Sequence, residues 1–214
     1  MEGRESFREN RGSNGASAAS NQPWQTVQKA ANTLVAGDAV YIRAGTYPEQ
    51  VVPQNSGSAG NYITFAAYPG ETVTIDGSGI ALPNDLVGLF HITGKEYIRV
   101  SGLRVIDAGP NNDNAGIMVL DSSNIIVENN STYNTNSSGI GVWVSDNVTV
   151  DGDIQDNNGF AIGSEQGGLL ENVWVYNNIA YNNRYVGLTI HNFFPSVCIC
   201  RSYFEVTEHK CGAA

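Results

Sequence analysis

The chain has 214 residues, of which 15% are charged, with 21 acidic against 11 basic and a formal net charge of −10. Asn and Gly contribute 24 residues each, and Val, Ile and Thr together 48, a mix of strand and turn formers that excludes a helical bundle or coiled coil. The acidic balance argues against nucleic acid as a partner, while 41% hydrophobic residues suffice to bury a core.

Residues 1–20 read as a flexible tail with charges but no apolar run of the signal-peptide kind. No stretch approaches the roughly 18–20 apolar residues of a membrane-spanning helix. Near 23–36 the pattern turns helical, with Pro23 at the start, Val27, Ala30, Ala31 and Leu34 on one face, and Gly37 at the stop. An amphipathic helix there would cap the open apolar end of a solenoid. A strand over Asp38–Arg43 follows.

From residue 61 onward the chain repeats itself. Tyr97–Gly102, Asn124–Asn129, Asn147–Gly152 and Asn172–Asn177 follow one template, with starts 27, 23 and 25 residues apart. A second short strand precedes each, as in Gly116–Val119 and Gly139–Val142. Asn61–Phe65 and Thr72–Ile75 form a divergent earlier turn. Each strand alternates apolar and other residues for a few positions and stops at Asn, Asp or Gly. This pattern predicts an all-β fold, a right-handed parallel β-helix of about five to six coils, with strands of successive coils about 4.8 Å apart. An antiparallel sandwich is the alternative. Alignment places Asn129, Gly152 and Asn177 in one column, and Asp107, Asn134, Asn157 and Asn182 in another. Both are expected to be turn and ladder positions.

The domain is expected to run over 21–192. Tyr185–Asn192 opens a new coil with no template strand after it, and 193–214 form an atypical tail. The chain therefore reads as a fragment, or as one whose tail must improvise a cap. A monomer is expected unless that open coil self-associates. Cys198, Cys200 and Cys211 with His209 fit no standard zinc spacing, and the plain reading is an unpaired tail.

Several segments resemble the N-terminal half of secreted right-handed parallel β-helix proteins, the group of family-nine pectate lyases and relatives of chondroitinase B and alginate lyases. The segments are Gln22–Ala31, the Gly-Asp-Ala-Val-Tyr-Ile-Arg-Ala-Gly-Thr-Tyr run ending at Tyr47, Tyr62–Glu71 and Ile75–Gly77. The resemblance covers about 21–192. It implies an extracellular protein acting on acidic polysaccharide by β-elimination, often with calcium neutralising the uronate carboxylate and a lysine or arginine as base. The alternative is a non-catalytic extracellular glycan-binding or adhesive module. The only lysines are Lys29, Lys95 and Lys210, none on a repeat strand, so no catalytic residue carries over from the resemblance. The nearest acidic candidates for a calcium site are Asp151, Asp153 and Asp156, with Asp107 through Asp113 as a second group.

Strand alternation also predicts which side chains face outward. With Ile140 and Val142 inward, the outward column reads Thr93, Leu120, Trp143, Glu165 and His191, one coil apart. A neighbouring column reads Arg99, Ile126, Thr149 and Trp174. Aromatic faces with hydrogen-bonding groups suit a sugar groove, so Trp143, Glu165, His191, Trp174 and Arg184 are the candidate glycan-binding residues. The structural alternatives are loop packing for the tryptophans, a turn hydrogen bond for Glu165, an incidental His191, and a solvated charge at Arg184.

Overall fold

The computed structural model describes residues 5–8, 23–156, 159–164, 170–183, 187–191, 197–200 and 202–204, with backbone only for 5–8, 191, 197–200 and 203–204. The expected solenoid is present, with about six turns. Every pairing between its strands is parallel and links equivalent strands of successive coils, as in Ile98 to Ile125 to Val148 to Val173. Among the described residues three sheets run the length of the stack, of eight, seven and five strands. The eight-stranded sheet includes Glu96–Ser101, Ser123–Glu128, Asp146–Asp151 and Glu171–Tyr176. The seven-stranded sheet includes Leu103–Ile106, Ser131–Tyr133, Ile154–Asp156 and Ile179–Tyr181. The five-stranded sheet is Val87–Thr93, Asn114–Leu120, Ser138–Trp143, Phe160–Gly163 and Leu188–His191.

Apolar columns fill the interior. Ile98, Ile125, Val148 and Val173 stack in one, and Val100, Val127, Val150 and Val175 in the next, all fully buried. Each such side chain contributes about 1.5–3 kcal/mol on leaving water. Alternation forces the residues between them outward.

Corners are set by left-handed residues. Asn129, Gly152 and Asn177 have φ of 55°, 67° and 57°, and Asp107, Asn134 and Asn182 have 57°, 51° and 51°. Asn and Asp tolerate this region through local hydrogen bonds, and Gly through its missing Cβ. Tyr97, Asn124, Asn147 and Asn172 form another such column inside the strand starts. Asn side chains also bond up these columns, Asn147 Nδ2 to Asn124 Oδ1 and Asn134 Nδ2 to Asp107 Oδ1. Asn157 lies outside the described residues.

The cap helix is shorter than expected, Val27–Ala31 rather than 23–36. Asn32 ends it, its N–H donating to the Gln28 carbonyl, while the Ala30 carbonyl accepts from Thr33 N and Leu34 N. The apolar face is nevertheless buried, with Trp24, Val27, Ala30, Ala31 and Leu34 packed on the core. The Glu49 carboxylate accepts from Val27 N at 2.7 Å and Gln28 N at 2.9 Å, which ties the helix start to the first coil.

Both ends extend the stack beyond 21–192. Glu5–Arg8, expected as tail, pairs with Ala39–Ile42, and Val197–Cys200 and Tyr203–Phe204 add parallel strands after the Tyr185–Asn192 segment. No described helix is long and apolar enough to cross a membrane.

Candidate glycan-binding face

The outer face of the eight-stranded sheet carries an exposed tryptophan among half-buried polar groups on one ladder. Register places Thr64, Arg99, Ile126, Thr149 and Trp174 in one column and Ala66, Ser101, Glu128, Asp151 and Tyr176 in the next. Trp174 is 38% exposed, a large apolar ring on a flat strand beside Thr149 and Tyr176. Left-handed residues, such as Asn172 and Asn177, bracket the outward stretch of each strand.

The face is acidic. Glu128 and Asp151 lie on it, Glu96, Asp146 and Glu171 stand at the strand starts before the left-handed residues, and Arg99 is already paired. Arg99 Nε donates to Glu128 Oε1 at 2.8 Å and its terminal nitrogen to Oε2 at 2.9 Å. The Glu128 hydrogen bonds hold the Arg99 guanidinium above its already high ordinary pKa, so it stays a cation. Asp146 accepts from Asn172 at 3.1 Å and Asp151 from Asn177 at 2.9 Å, which fixes both carboxylates. Neither of the described lysines, Lys29 and Lys95, lies in a strand.

The outward Trp143 strip is not found. Trp143 is only 6% exposed. It does lie off the central core, but it packs with Ala115 and Met118, against Leu86, Leu120, Val144 and Ala161. The physical reason lies in the neighbouring column, where Gly141 and Ala161 leave room beside Met118. A Cβ on Gly141 would sit 2.9 Å from the Met118 thioether, so glycine there lets large side chains lie down over the sheet. The next residue in the Trp143 column is Gly163, not Glu165, followed by His191. Glu165, Arg184 and the His191 side chain lie outside what is described. Trp174 is thus the exposed member of the two tryptophans, and it stands on a different sheet from Trp143.

The expected calcium set is not assembled. Asp151 faces outward, Asp156 lies on the seven-stranded sheet and accepts from Asn182 at 3.2 Å, and Asp153 is fully buried in the interior. Among the described residues no three His, Cys, Asp or Glu side chains are grouped to hold a metal.

Asp153 instead belongs to an interior ladder. Its Oδ1 accepts from Asn130 N at 2.7 Å and Asn130 Nδ2 at 3.0 Å, and its own N donates to Asn178 Oδ1 at 2.8 Å. Burial pushes its carboxyl up to about 7, against the lowering effect of the Asn130 hydrogen bonds. A signal for this column was available in the repeated dipeptides Asn129-Asn130, Gly152-Asp153 and Asn177-Asn178, whose second residues stack.

Comparison with known proteins matches this architecture. The description "Pel9A-like, right handed beta helix region" fits residues 6–153. The chain belongs to the Pel9A-like β-helix family. It is 30% identical over 193 residues to pectate lyase PEL9 of Emericella nidulans, covering 78% of this chain and 46% of that protein. It is 36% identical over 108 residues to the uncharacterized protein YwoF of Bacillus subtilis, covering 49% of this chain and 23% of that one. The chain thus spans less than half the length of either curated relative. A solved rhamnogalacturonan lyase superposes with a TM-score of 0.71 at 22% identity, covering 94% of this chain and 56% of that chain. That likeness establishes the shared fold.

Some of the residues that carried the resemblance have structural jobs. Arg43 Nε donates to both Glu71 carboxylate oxygens at 2.8 and 2.9 Å, Ala44 N donates to Glu71 at 2.6 Å, and the guanidinium lies 4.6 Å from the Tyr68 ring centroid. Tyr47 O–H donates to the Arg43 carbonyl at 2.8 Å. These contacts lock the first two coils together.

Proposed function

We propose that this chain is a carbohydrate-active β-helix of the polysaccharide-lyase type, acting outside the cell. In this reading it engages an acidic, uronate-bearing glycan along the outer face of the eight-stranded sheet. The observation that carries the reading is Trp174, an exposed ring on a strand ladder with Thr149, Asp151 and Tyr176 beside it. A sugar ring stacks on such a face while its hydroxyls reach the flanking polar groups. The pectate lyase named above supports carbohydrate as the ligand class.

The charge of the face constrains how a polyanion binds. Glu128 and Asp151 on the face and three further carboxylates at its strand starts repel uronate groups, and the one described arginine there is already paired, so binding calls for calcium or another divalent cation as counterion. β-Elimination also needs a base that can lose a proton. Arg99 is held as a cation by Glu128, and the described lysines are off the strands. This pairing favours a second reading, a glycan-binding module without turnover of its own.

Incubation with polygalacturonate, alginate or chondroitin, with and without calcium, separates the readings. Unsaturated-uronate absorbance would establish a lyase. Calcium-dependent binding without product would establish the binding module, and neither binding nor product would overturn the proposal.

A further inference from the structure

In the interior ladder, Asn130 and Asn178 use both ends of their side-chain amides. Each accepts a main-chain N–H through Oδ1: Asn130 from Leu103 N at 3.0 Å, and Asn178 from Asp153 N at 2.8 Å. Each also donates through Nδ2 to a valine carbonyl of the preceding coil, Asn130 to Val100 at 3.2 Å and Asn178 to Val150 at 2.8 Å. The coil between them carries Asp153. Its Oδ1 accepts as an amide oxygen would, but its Oδ2, at the position of the missing amide nitrogen, is buried without a hydrogen-bond partner. By the register of Val100, Val127 and Val150, the acceptor this position should reach is the Val127 carbonyl.

We propose that Asp153 is a neutral carboxylic acid in the folded chain, its Oδ2–H donating to the Val127 carbonyl as the asparagine amides do one coil away on either side. A carboxylate could not occupy this place well. It would offer a lone pair to a carbonyl oxygen and leave a charge buried among Val150, Asn130 and Asn178. The charged groups bearing on it from the packed strands are Asp151 and Glu128, and both disfavour ionisation. Among the described residues the donors offered to its Oδ1 are the neutral groups of Asn130. The ladder thereby becomes a pH-sensitive element in the middle of the solenoid, complete while the acid is protonated and broken when it ionises.

The sign follows from linkage. The folded chain holds this proton more tightly than the unfolded one, so its contribution to stability is fully present below the unfolded carboxyl value near 4. That contribution is lost as pH rises through about 7. Asp153→Asn, which carries a permanent donor, removes the dependence.

The test compares urea unfolding of the parent chain and Asp153→Asn between pH 4 and 8. The folded-to-unfolded ratio of the parent relative to the variant should fall by up to about a thousandfold over that window, near tenfold per pH unit. Parallel stability curves for parent and variant would overturn the proposal. A second measurement needs no variant to fold. In the carboxyl carbon NMR spectrum of the parent, one aspartate should titrate near neutrality, and titration of every aspartate below pH 5 would equally overturn it.

Discussion

Arg99 and Glu128, on adjacent coils of the eight-stranded sheet, meet through two parallel N–H to oxygen hydrogen bonds of 2.8 and 2.9 Å. The pair spends Arg99, a strand-borne cation of the candidate face, on a protein carboxylate rather than on a ligand. Arg99 is 43% exposed at its side chain, so the pair stabilises the fold little, on the order of 0–1 kcal/mol. Glu128→Gln should lower the urea midpoint by no more than this and release Arg99. Binding of an acidic glycan should then strengthen in calorimetric titration and depend less on calcium. Unchanged affinity would mean that ligands do not touch this column.

The two tryptophans should separate stability from binding. Trp143→Ala removes a buried ring and should cost about 3–5 kcal/mol by denaturant unfolding. Trp174→Ala removes a partly exposed ring and should leave the unfolding midpoint nearly unchanged. A Trp143→Ala variant as stable as the parent would show that its packing with Met118 and Ala115 contributes nothing.

Much of the fold was legible before any coordinates, because the inward valines and isoleucines recur at period two and stop at residues suited to left-handed corners. In and out were read correctly for Trp174. Trp143 shows where alternation stops being informative. It tells which side of a sheet a residue takes, but not whether Met118 and Ala115 lie over that side as well. Alignment of the repeats puts Glu165 in the Trp143 column, whereas register puts Gly163 there, two residues earlier in the chain. Asp153 falls with Asp151 and Asp156 in sequence as a candidate calcium ligand, whereas the fold stacks it between Asn130 and Asn178 in the interior. The Asn129-Asn130 and Asn177-Asn178 dipeptides, aligned with Gly152-Asp153, carry the signal for this column. The short cap helix and the extra strands at both ends depend on long-range pairing that local pattern does not encode.

Gly139 should resist substitution. A Cβ there would collide with Thr132 Oγ1 and Gln155 Oε1, side chains projecting inward from the seven-stranded sheet. Overpacking of this kind costs about 1–3 kcal/mol. Gly139→Ala should lower the thermal midpoint accordingly, while Gly79→Ala, with open space around its Cβ position, tests the backbone penalty alone at φ 82°. Equal effects at both positions would argue against the steric account.

Acid should weaken the junction of the first two coils. The Glu71 carboxyl is held below its ordinary value, first by the Arg43 hydrogen bonds and then by that from Ala44 N. A depressed carboxylate contributes stability that is present above its unfolded value near 4.5 and is lost as pH falls through the folded value. Glu71→Gln should therefore lower stability at pH 6 and converge with the parent at strongly acid pH. Curves that stay parallel down to pH 2 would contradict this. The effect opposes that of Asp153, so an Asp153→Asn background should display it more cleanly.

The central claim is that a glycan lies on the eight-stranded face around Trp174, and one titration addresses it most directly. Polygalacturonate is titrated calorimetrically into the parent chain and Trp174→Ala, each with calcium and with chelator. Stacking on an aromatic face is worth about 1–3 kcal/mol by analogy with base stacking, which converts to roughly a 5- to 150-fold change in affinity. The account predicts calcium-dependent binding by the parent and at least about fivefold weaker binding by a Trp174→Ala variant that remains fully folded. Binding that is identical in the two proteins would contradict it.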